Sequence, residues 1–399
     1  MQVDFQDRWL IYERGEDIKL DFKLNAQQEM LKKTVRQFAE EEIAPLVDEM
    51  EINDQTPPEL VRKMGEQGFF GVTVPLEYGG TGMGHVDRVI MLEEIARISA
   101  AIAMSLQVLQ IGVGMMMEMG NSEQKNRYSP ALAQGKILIT PAITESSGGS
   151  DLEGMSTKVV DKGEYYSIDG RKVFITNSHI ADVAIIIARY EGTKKFGAFL
   201  VEKGEKGFRP GRVEKKIGLF GCYNGEIILD NCQAPKENLF GDQGRGLAVA
   251  LRGISNYGRT GMAGSALGLM QASLEAAVKF AQERTLYGRA ISNLAPIQFK
   301  IAEIYAELEA SRLMSYYTAW LIEHGSKRAD TQTAATKFFT TEAALRCTRR
   351  TMDIYGSYGC IKEYPVERYY RDAQLLISAD GTSDIKRIIV GRNLTAKKN

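Results

Sequence analysis

Apolar residues recur at three- to four-residue spacing towards both ends of the chain, and gather into short β-branched runs in the middle. Asn25 caps an expected helix whose apolar face is Met30, Leu31, Val35, Phe38 and Ile43, with Pro45 as the stop. Pro57-Pro58 opens a short helix through Leu60, Val61 and Met64 that ends at Gly68, and Gly79-Gly80-Thr81-Gly82 reads as a loop. One long helix is expected from Val86 to Met119. Its interior, including Ile98, Ala100, Ala101, Ile102, Ala103 and Met104, is apolar nearly all round, which marks a buried helix. Ser122 starts another helix that ends near Gly135. From Ile137 to Leu239 the pattern is strand-like, with Asp169-Gly170 as a hairpin turn signal. Helical spacing then returns, over residues 246–286, 296–324 and 330–355. The pattern predicts three domains: helical over 1–136, β over 137–240 and helical over 241–399.

Composition narrows the chemistry. Lys and Arg number 50 against 51 Asp and Glu, so no global positive field exists to hold nucleic acid or an anionic membrane. The four Cys (Cys222, Cys232, Cys347, Cys360) form no CxxC pair, and the three His (His85, His179, His324) have no metal-ligand spacing. Acid–base chemistry is therefore expected to rest on a carboxylate or a cofactor, with no metal. No GxGxxG and no βαβ alternation occur, which argues against a dinucleotide-binding parallel sheet. Residues Met1–Lys19 lack the apolar core of a signal peptide, and no run of 18 apolar residues is present, so a cytoplasmic protein without membrane insertion is expected.

Four motifs carry a resemblance. Ala142-Ile143-Thr144-Glu145-Ser146-Ser147-Gly148-Gly149-Ser150-Asp151 is a strand end running into a hydroxyl-bearing Gly loop. Phe174-Ile175-Thr176-Asn177 is an aromatic-led strand, and Glu283 to Gly288 includes Arg284 and Tyr287. The fourth runs from Asp353 to Asp372 and includes Gly356, Ser357 and Glu363-Tyr364-Pro365-Val366-Glu367-Arg368. In this order, and across residues 25–395, they resemble the acyl-CoA dehydrogenase family. The resemblance implies a mainly α fold with an inserted β domain. Its parts are an N-terminal helical domain, a β-barrel-like middle domain and a C-terminal four-helix domain. It also implies FAD, an acyl-CoA substrate, an electron-transfer flavoprotein as acceptor and a homotetramer. In such enzymes a carboxylate removes the α proton of a CoA thioester while the β hydrogen leaves as hydride to the flavin. Donors to the thioester carbonyl make that proton acidic.

Residue by residue, the resemblance places Ile143, Thr144, Gly149, Ser150, Phe174, Ile175 and Thr176 at the flavin and its diphosphate. Arg284, Tyr287, Asp353, Gly356, Ser357, Thr382 and Asp384 are placed at the cofactor's far end, with Arg284 reaching a neighbouring subunit. Ser150, Gln107, Arg259, Ala379 and Gly381 are placed at the substrate. The catalytic base departs from the family pattern: where Glu-Gly-Thr after Tyr is usual, this chain has Ala379-Asp380-Gly381-Thr382, so Asp380 is the expected base. The alternative base position of some members is Gly258. Asp380 could instead cap the following helix, but Ser383 or Asp384 has the better spacing. Other family positions usually held by Gln are Ala295, Asp353 and Asp384.

A shorter carboxylate and Ala in place of an aromatic point to a bulky or cyclic acyl group; in its Asp base the chain resembles the anaerobic bacterial dehydrogenases of alicyclic CoA thioesters, and that resemblance implies cyclohexanecarboxyl-CoA or a near relative. The alternatives are 1,4-dehydrogenation of a cyclohexene-carboxyl-CoA, a branched or short-chain substrate, and a nitroalkane-oxidase-like flavoenzyme. Gln107 stands at the deep-pocket position where ring-acting members carry Asp, and Asp87 reads as a helix-start residue. Ala101 stands where glutaryl-CoA members carry an arginine.

Overall fold

In the computed structural model, residues 23–396 are described; the Met1–Lys19 reading lies outside them. Helix α1 (Ala26–Phe38) starts on a capping box, with Asn25 Oδ1 accepting from Gln28 N at 2.9 Å. Pro45 does not stop the chain's helical course, contrary to expectation. A π turn at Ala39–Ile43 widens the path and delivers Pro45 to the first turn of a 3-10 segment, where its missing N–H costs nothing. Helix α2 (Val47–Asn53) follows, then α3 (Pro58–Glu66).

The long helix expected from Val86 to Met119 is two helices, α4 (His85–Ile98) and α5 (Ala100–Met119). Ser99 breaks them with an extended backbone (φ −146°, ψ 107°), and its hydroxyl caps α5 by accepting from Ile102 N. By length and composition α5 could cross a membrane, yet 94% of its apolar window is buried inside the fold. Helix α6 (Ser122–Ala133) closes this part of the chain.

Eight strands follow: β1 (Ile139–Ala142), β2 (Lys158–Asp161), β3 (Tyr165–Thr176), β4 (Val183–Tyr190), β5 (Phe196–Glu202), β6 (Phe208–Val213), β7 (Asn224–Pro235) and β8 (Leu239–Phe240). They form one sheet in the order β6-β7-β3-β2-β4-β5-β8, with β1 parallel to β4, so β6 and β8 are its ends. Asp169-Gly170 is not a hairpin turn. It lies within β3 at a register shift against β7, where any side chain on residue 170 would strike Thr157. The turn before β3 is made at Gly163 (φ 86°), with Lys162 N donating to Tyr165 O.

The last part is built from α7 (Gly246–Gly253), a π turn at Ile254–Gly258, α8 (Arg259–Glu283), α9 (Ala295–Glu323), α10 (Ala329–Tyr355), α11 (Val366–Ser378) and α12 (Ser383–Thr395). Residues 285–286, expected at the end of a helix, instead pair with Arg289–Ala290 in a small hairpin around Tyr287-Gly288. Neither Ser383 nor Asp384 caps α12; Thr382 holds that place, without a side-chain bond.

The loop between β6 and β7 is pinned from both helical parts. Leu219 N donates to Asp372 Oδ1 (2.5 Å) on α11, and Gly221 N donates to Asp54 Oδ1 (2.9 Å). Burial pushes the Asp372 carboxyl up from 3.8 to about 7. The folded state therefore holds a proton that the unfolded chain has lost between those two values, and this part of stability falls as pH rises across that window. Asp372→Asn keeps the neutral form at every pH. Its stability relative to the parent is expected to grow by a few kcal/mol from pH 4 to 7 and then level off, read by urea titration at several pH values.

Candidate active site

The turn between α11 and α12 holds a carboxylate in a conformation that few side chains accept. Asp380 has φ 51° and Gly381 has φ 92°, so the backbone is left-handed over two residues. Lys337 on α10 clamps the turn, donating from Nζ to the carbonyls of Ile377 (2.6 Å) and Gly381 (3.0 Å). Lys386 lies beneath it: a Cβ on Gly381 would fall 2.5 Å from Lys386 Nζ. Gly381 is thus required both by its backbone angle and by this close ammonium.

The Asp380 side chain is half-buried and points at the π turn before α8. A Cβ on Gly258 would lie 3.0 Å from Asp380 Oδ2, and Gln107 Nε2 donates to the same oxygen at 3.4 Å. Burial raises the Asp380 pKa, while the charges of Lys386 and Lys337 and the Gln107 hydrogen bond pull it back. In turn, burial lowers Lys386 to about 7 and Lys337 to about 8. Gly258→Ala would push the carboxylate by a few tenths of an ångström. On the chemistry that the resemblance implies, turnover is expected to fall roughly tenfold with FAD content unchanged, measured by steady-state assay and flavin absorbance.

A second group of residues converges on the end of β3. A bulge between Lys172 and Ile175 breaks the alternation, so that the neighbours Lys172 and Val173 are both buried, as are Ile175 and Thr176. Phe174 is turned out at φ 57° with 60% of its surface exposed. Asn224 Nδ2 donates to Phe174 O (3.1 Å) and to Thr176 Oγ1 (3.4 Å). Alongside runs the loop after β1, where Val173 N donates to Thr144 O.

Glu145 fixes the shape of that loop. It is buried, accepts from Ser156 N, Ser156 Oγ and Thr157 N, and pairs with the fully buried Lys172 at 2.8 Å. Burial alone would raise the Glu145 pKa, but Lys172 and these donors bring it below the usual range. Beyond Glu145 the loop opens: Gly149 and Ser150 are exposed, Gly148 has φ 143°, and no atom lies within 4 Å of where its Cβ would stand.

The two groups are bolted together by one pair. Ser105 Oγ donates to Asn177 Oδ1 (2.7 Å), and Asn177 Nδ2 donates to Ser105 O (2.9 Å). Asn177 ends the β3 motif, and Ser105 stands two residues before Gln107 on α5. The strand end and the carboxylate turn are therefore referenced to the same helix.

The remaining predicted residues lie elsewhere. Arg284, Tyr287, Asp353, Gly356 and Ser357 are all exposed, with Arg284 over the Tyr358 ring at 5.3 Å. Asp384 is exposed and paired with Arg387. Thr382 is exposed in the turn, and Ala379 is half-buried before it. The hydrogen bonds of Arg259 go to Ser255, Asp330 and Thr333, none to the carboxylate turn. Sequence reading missed Arg88, Lys337 and Lys386. The available signal was a charge inside an apolar helical face, as with Arg88 among Val86, Val89 and Ile90.

Three family models match the chain in order: the acyl-CoA dehydrogenase N-terminal domain at residues 25–136, the middle domain at 140–232 and the C-terminal domain at 244–395. An acyl-CoA dehydrogenase of Bacillus subtilis is 39% identical over 92% of this chain and 98% of its own length. A cyclohex-1-ene-1-carbonyl-CoA dehydrogenase of Syntrophus aciditrophicus is 36% identical over 93% of this chain and 91% of its own. Among solved structures, a chain from work on the electron transferring flavoprotein of Acidaminococcus fermentans superposes with a TM-score of 0.93. It shows 34% identity over 95% of this chain and 100% of that one.

Proposed function

Because the chain belongs to the acyl-CoA dehydrogenase family, we propose that it is an FAD-dependent dehydrogenase of an alicyclic acyl-CoA thioester, with Asp380 as the base. The observation that carries this reading is the carboxylate turn: one ionisable acid, held by a strained backbone and two buried lysines, facing a glycine. FAD, when bound, supplies the two-electron acceptor for the β hydrogen.

The residues present fit that cofactor. The open cradle at Gly148, the exposed loop hydroxyls of Ser146, Ser147 and Ser150, and the out-turned Phe174 beside Thr176 offer donors and an apolar wall on one side of the sheet end. Ile143, Thr144, Gly149, Ile175 and Thr176 complete it. Asp380 takes the α proton, and its raised pKa increases the driving force for that step. Its backbone N–H is the donor assigned to the thioester carbonyl.

Asp is one methylene shorter than Glu, on the order of 1 Å, so the reacting carbon must come closer to the turn. Ala379 and Gly258 leave space beside the carboxylate for a ring to do so. The cyclohexene relative supports this class. Asp87 caps α4, its carboxylate accepting from Gly84 N at 2.8 Å, which supports the helix-start role over a second base.

An electron-transfer flavoprotein is the acceptor in this reading, and the assembly is a homotetramer. Its seam would use exposed Phe299 and Leu313 of α9, with exposed Arg284, Asp353, Gly356 and Ser357 completing a neighbour's cofactor site. An anaerobic screen of linear, branched and alicyclic CoA thioesters, scored by flavin bleaching, tests the substrate class. A preference for alicyclic thioesters is expected; a clear preference for straight chains would overturn it. Bleaching by nitroalkanes and by no thioester would instead favour the nitroalkane-oxidase reading.

A further inference from the structure

Two buried lysines lie against the turn that carries Asp380, and they are bonded differently. Lys337 has no exposed surface, and its Nζ donates to the carbonyls of Ile377 and Gly381. Lys386 is 2% exposed, and among the described residues its ammonium makes no hydrogen bond and no ion pair. It packs against the backbone of the turn: a Cβ on Gly381 would fall 2.5 Å from its Nζ and 3.2 Å from its Cε. Its place in the chain adds a second cost. Lys386 lies in the first turn of α12 (Ser383–Thr395), where the positive end of the helix dipole disfavours a cation. Neither burial nor helix formation calls for an ammonium at this position.

The charges around Lys386 show which group it acts on. Arg259 and Lys337 repel it, Asp380 and Asp330 attract it, and of the two anions Asp380 acts more strongly. Asp330 is already bound by Arg259 at 2.7 Å and by the Ser255 hydroxyl at 2.7 Å. Around the Asp380 carboxylate, four groups oppose the effect of burial: Lys386 first, then Lys337, the Gln107 amide and Arg88. Lys386 and Asp380 nonetheless form no ion pair. From beyond contact distance, a cation favours the ionised carboxylate through its field alone, which a buried setting screens little. A direct ion pair would instead occupy the lone pair that has to take a proton.

Resting on the dehydrogenase reading above, we propose that Lys386 is a positioning residue for the proton-transfer step: its ammonium, set beneath Gly381 and bonded to no other group, keeps the Asp380 carboxylate ionised and its lone pair free in the resting protein. Lys337 fixes the shape of the turn through its two carbonyls; Lys386 sets its charge. A carboxylate buried without that charge would hold its proton, and a protonated acid cannot take another from the α carbon. The same field acts after the transfer. Once Asp380 is neutral, the ammonium beneath it favours loss of the acquired proton and return to the ionised base.

The test follows kcat/KM across pH in FAD-loaded protein, with whichever thioester bleaches the flavin. In Lys386→Met the pH at which activity rises is expected to move up by about one unit, the size of effect a nearby charge has on a carboxylate. On the acid side of that rise kcat/KM then falls roughly tenfold. At higher pH, where the carboxylate is ionised with or without the cation, the variant is expected to match the parent. Lys386→Arg, which keeps the charge, is expected to leave the rise in place. A merely structural role would lower activity equally at every pH. Infrared difference spectra of the parent against Asp380→Asn, at pH 7 without substrate, read the carboxyl directly: an ionised carboxylate supports the proposal and a protonated acid overturns it. Should Lys386→Met fail to fold, Lys386→Gln takes its place in the pH series and the infrared reading of the parent still decides. An unmoved rise in a folded, turning-over variant refutes this inference and leaves the dehydrogenase reading standing. Bleaching by no thioester in the parent removes both.

Discussion

Asp380→Asn is expected to lower thioester turnover by about 10²–10⁴-fold, the usual contribution of a general base, with FAD still bound. Asn has the same shape, so Gln107 and the Gly258 face remain in contact and the turn keeps its left-handed backbone, which Asn also tolerates. What is lost is the lone pair that takes the proton. The substitution therefore separates chemistry from folding: KM changes little, kcat falls, and the flavin spectrum persists. In the parent protein activity requires the ionised carboxylate, so kcat/KM rises with pH through the Asp380 pKa. Burial places that limb above the ordinary value of 3.8, because the opposing lysines do not cancel it. Steady-state turnover with an artificial electron acceptor across pH, together with the flavin content of the purified variant, measures all three effects.

Lys172→Met carries the second large expectation, and it falls on stability and cofactor retention. Lys172 has no exposed surface and binds Glu145, Ile143 O and Met155 Sδ. Removing it leaves Glu145 buried without its cation, which costs about 3–5 kcal/mol. The damage is local to the loop that carries Thr144 and Gly149, so FAD is expected to be lost on dilution. Combining Lys172→Met with Glu145→Gln removes the uncompensated charge and is expected to restore part of the stability. Thermal unfolding with and without added FAD checks both variants; an unchanged melting temperature in Lys172→Met would show that the pair holds nothing in place.

The helices and the β middle were readable because their apolar spacing is set by burial, which acts on every turn alike. Ser99, Pro45 and Asp169-Gly170 were misread because each depends on a partner distant in sequence or on an uncommon local geometry. Ser99 breaks a run whose apolar pattern is continuous across it. Pro45 is accommodated by a π turn that periodicity does not encode. Gly170 is demanded by Thr157 across the sheet, so a turn signal became a bulge.

The candidate site divides in the same way. Asp380 and the β3 motif were singled out by the motifs that carry the family resemblance. The Lys337 clamp joins residues 40 and 44 positions apart, and the Ser105–Asn177 pair spans 72. No local pattern announces such contacts. The same holds for Arg88, whose two neutral partners come from α5 and α8.

The most direct test of the central claim is the mass of the thioester after a single anaerobic turnover. FAD-loaded protein is mixed with equimolar alicyclic acyl-CoA. Flavin absorbance and thioester mass are then followed together in the parent protein and in Asp380→Asn. The account predicts a product two hydrogens lighter, formed in step with flavin bleaching in the parent and nearly absent in the variant. A thioester of unchanged mass in the parent, or equal conversion by Asp380→Asn, would contradict it.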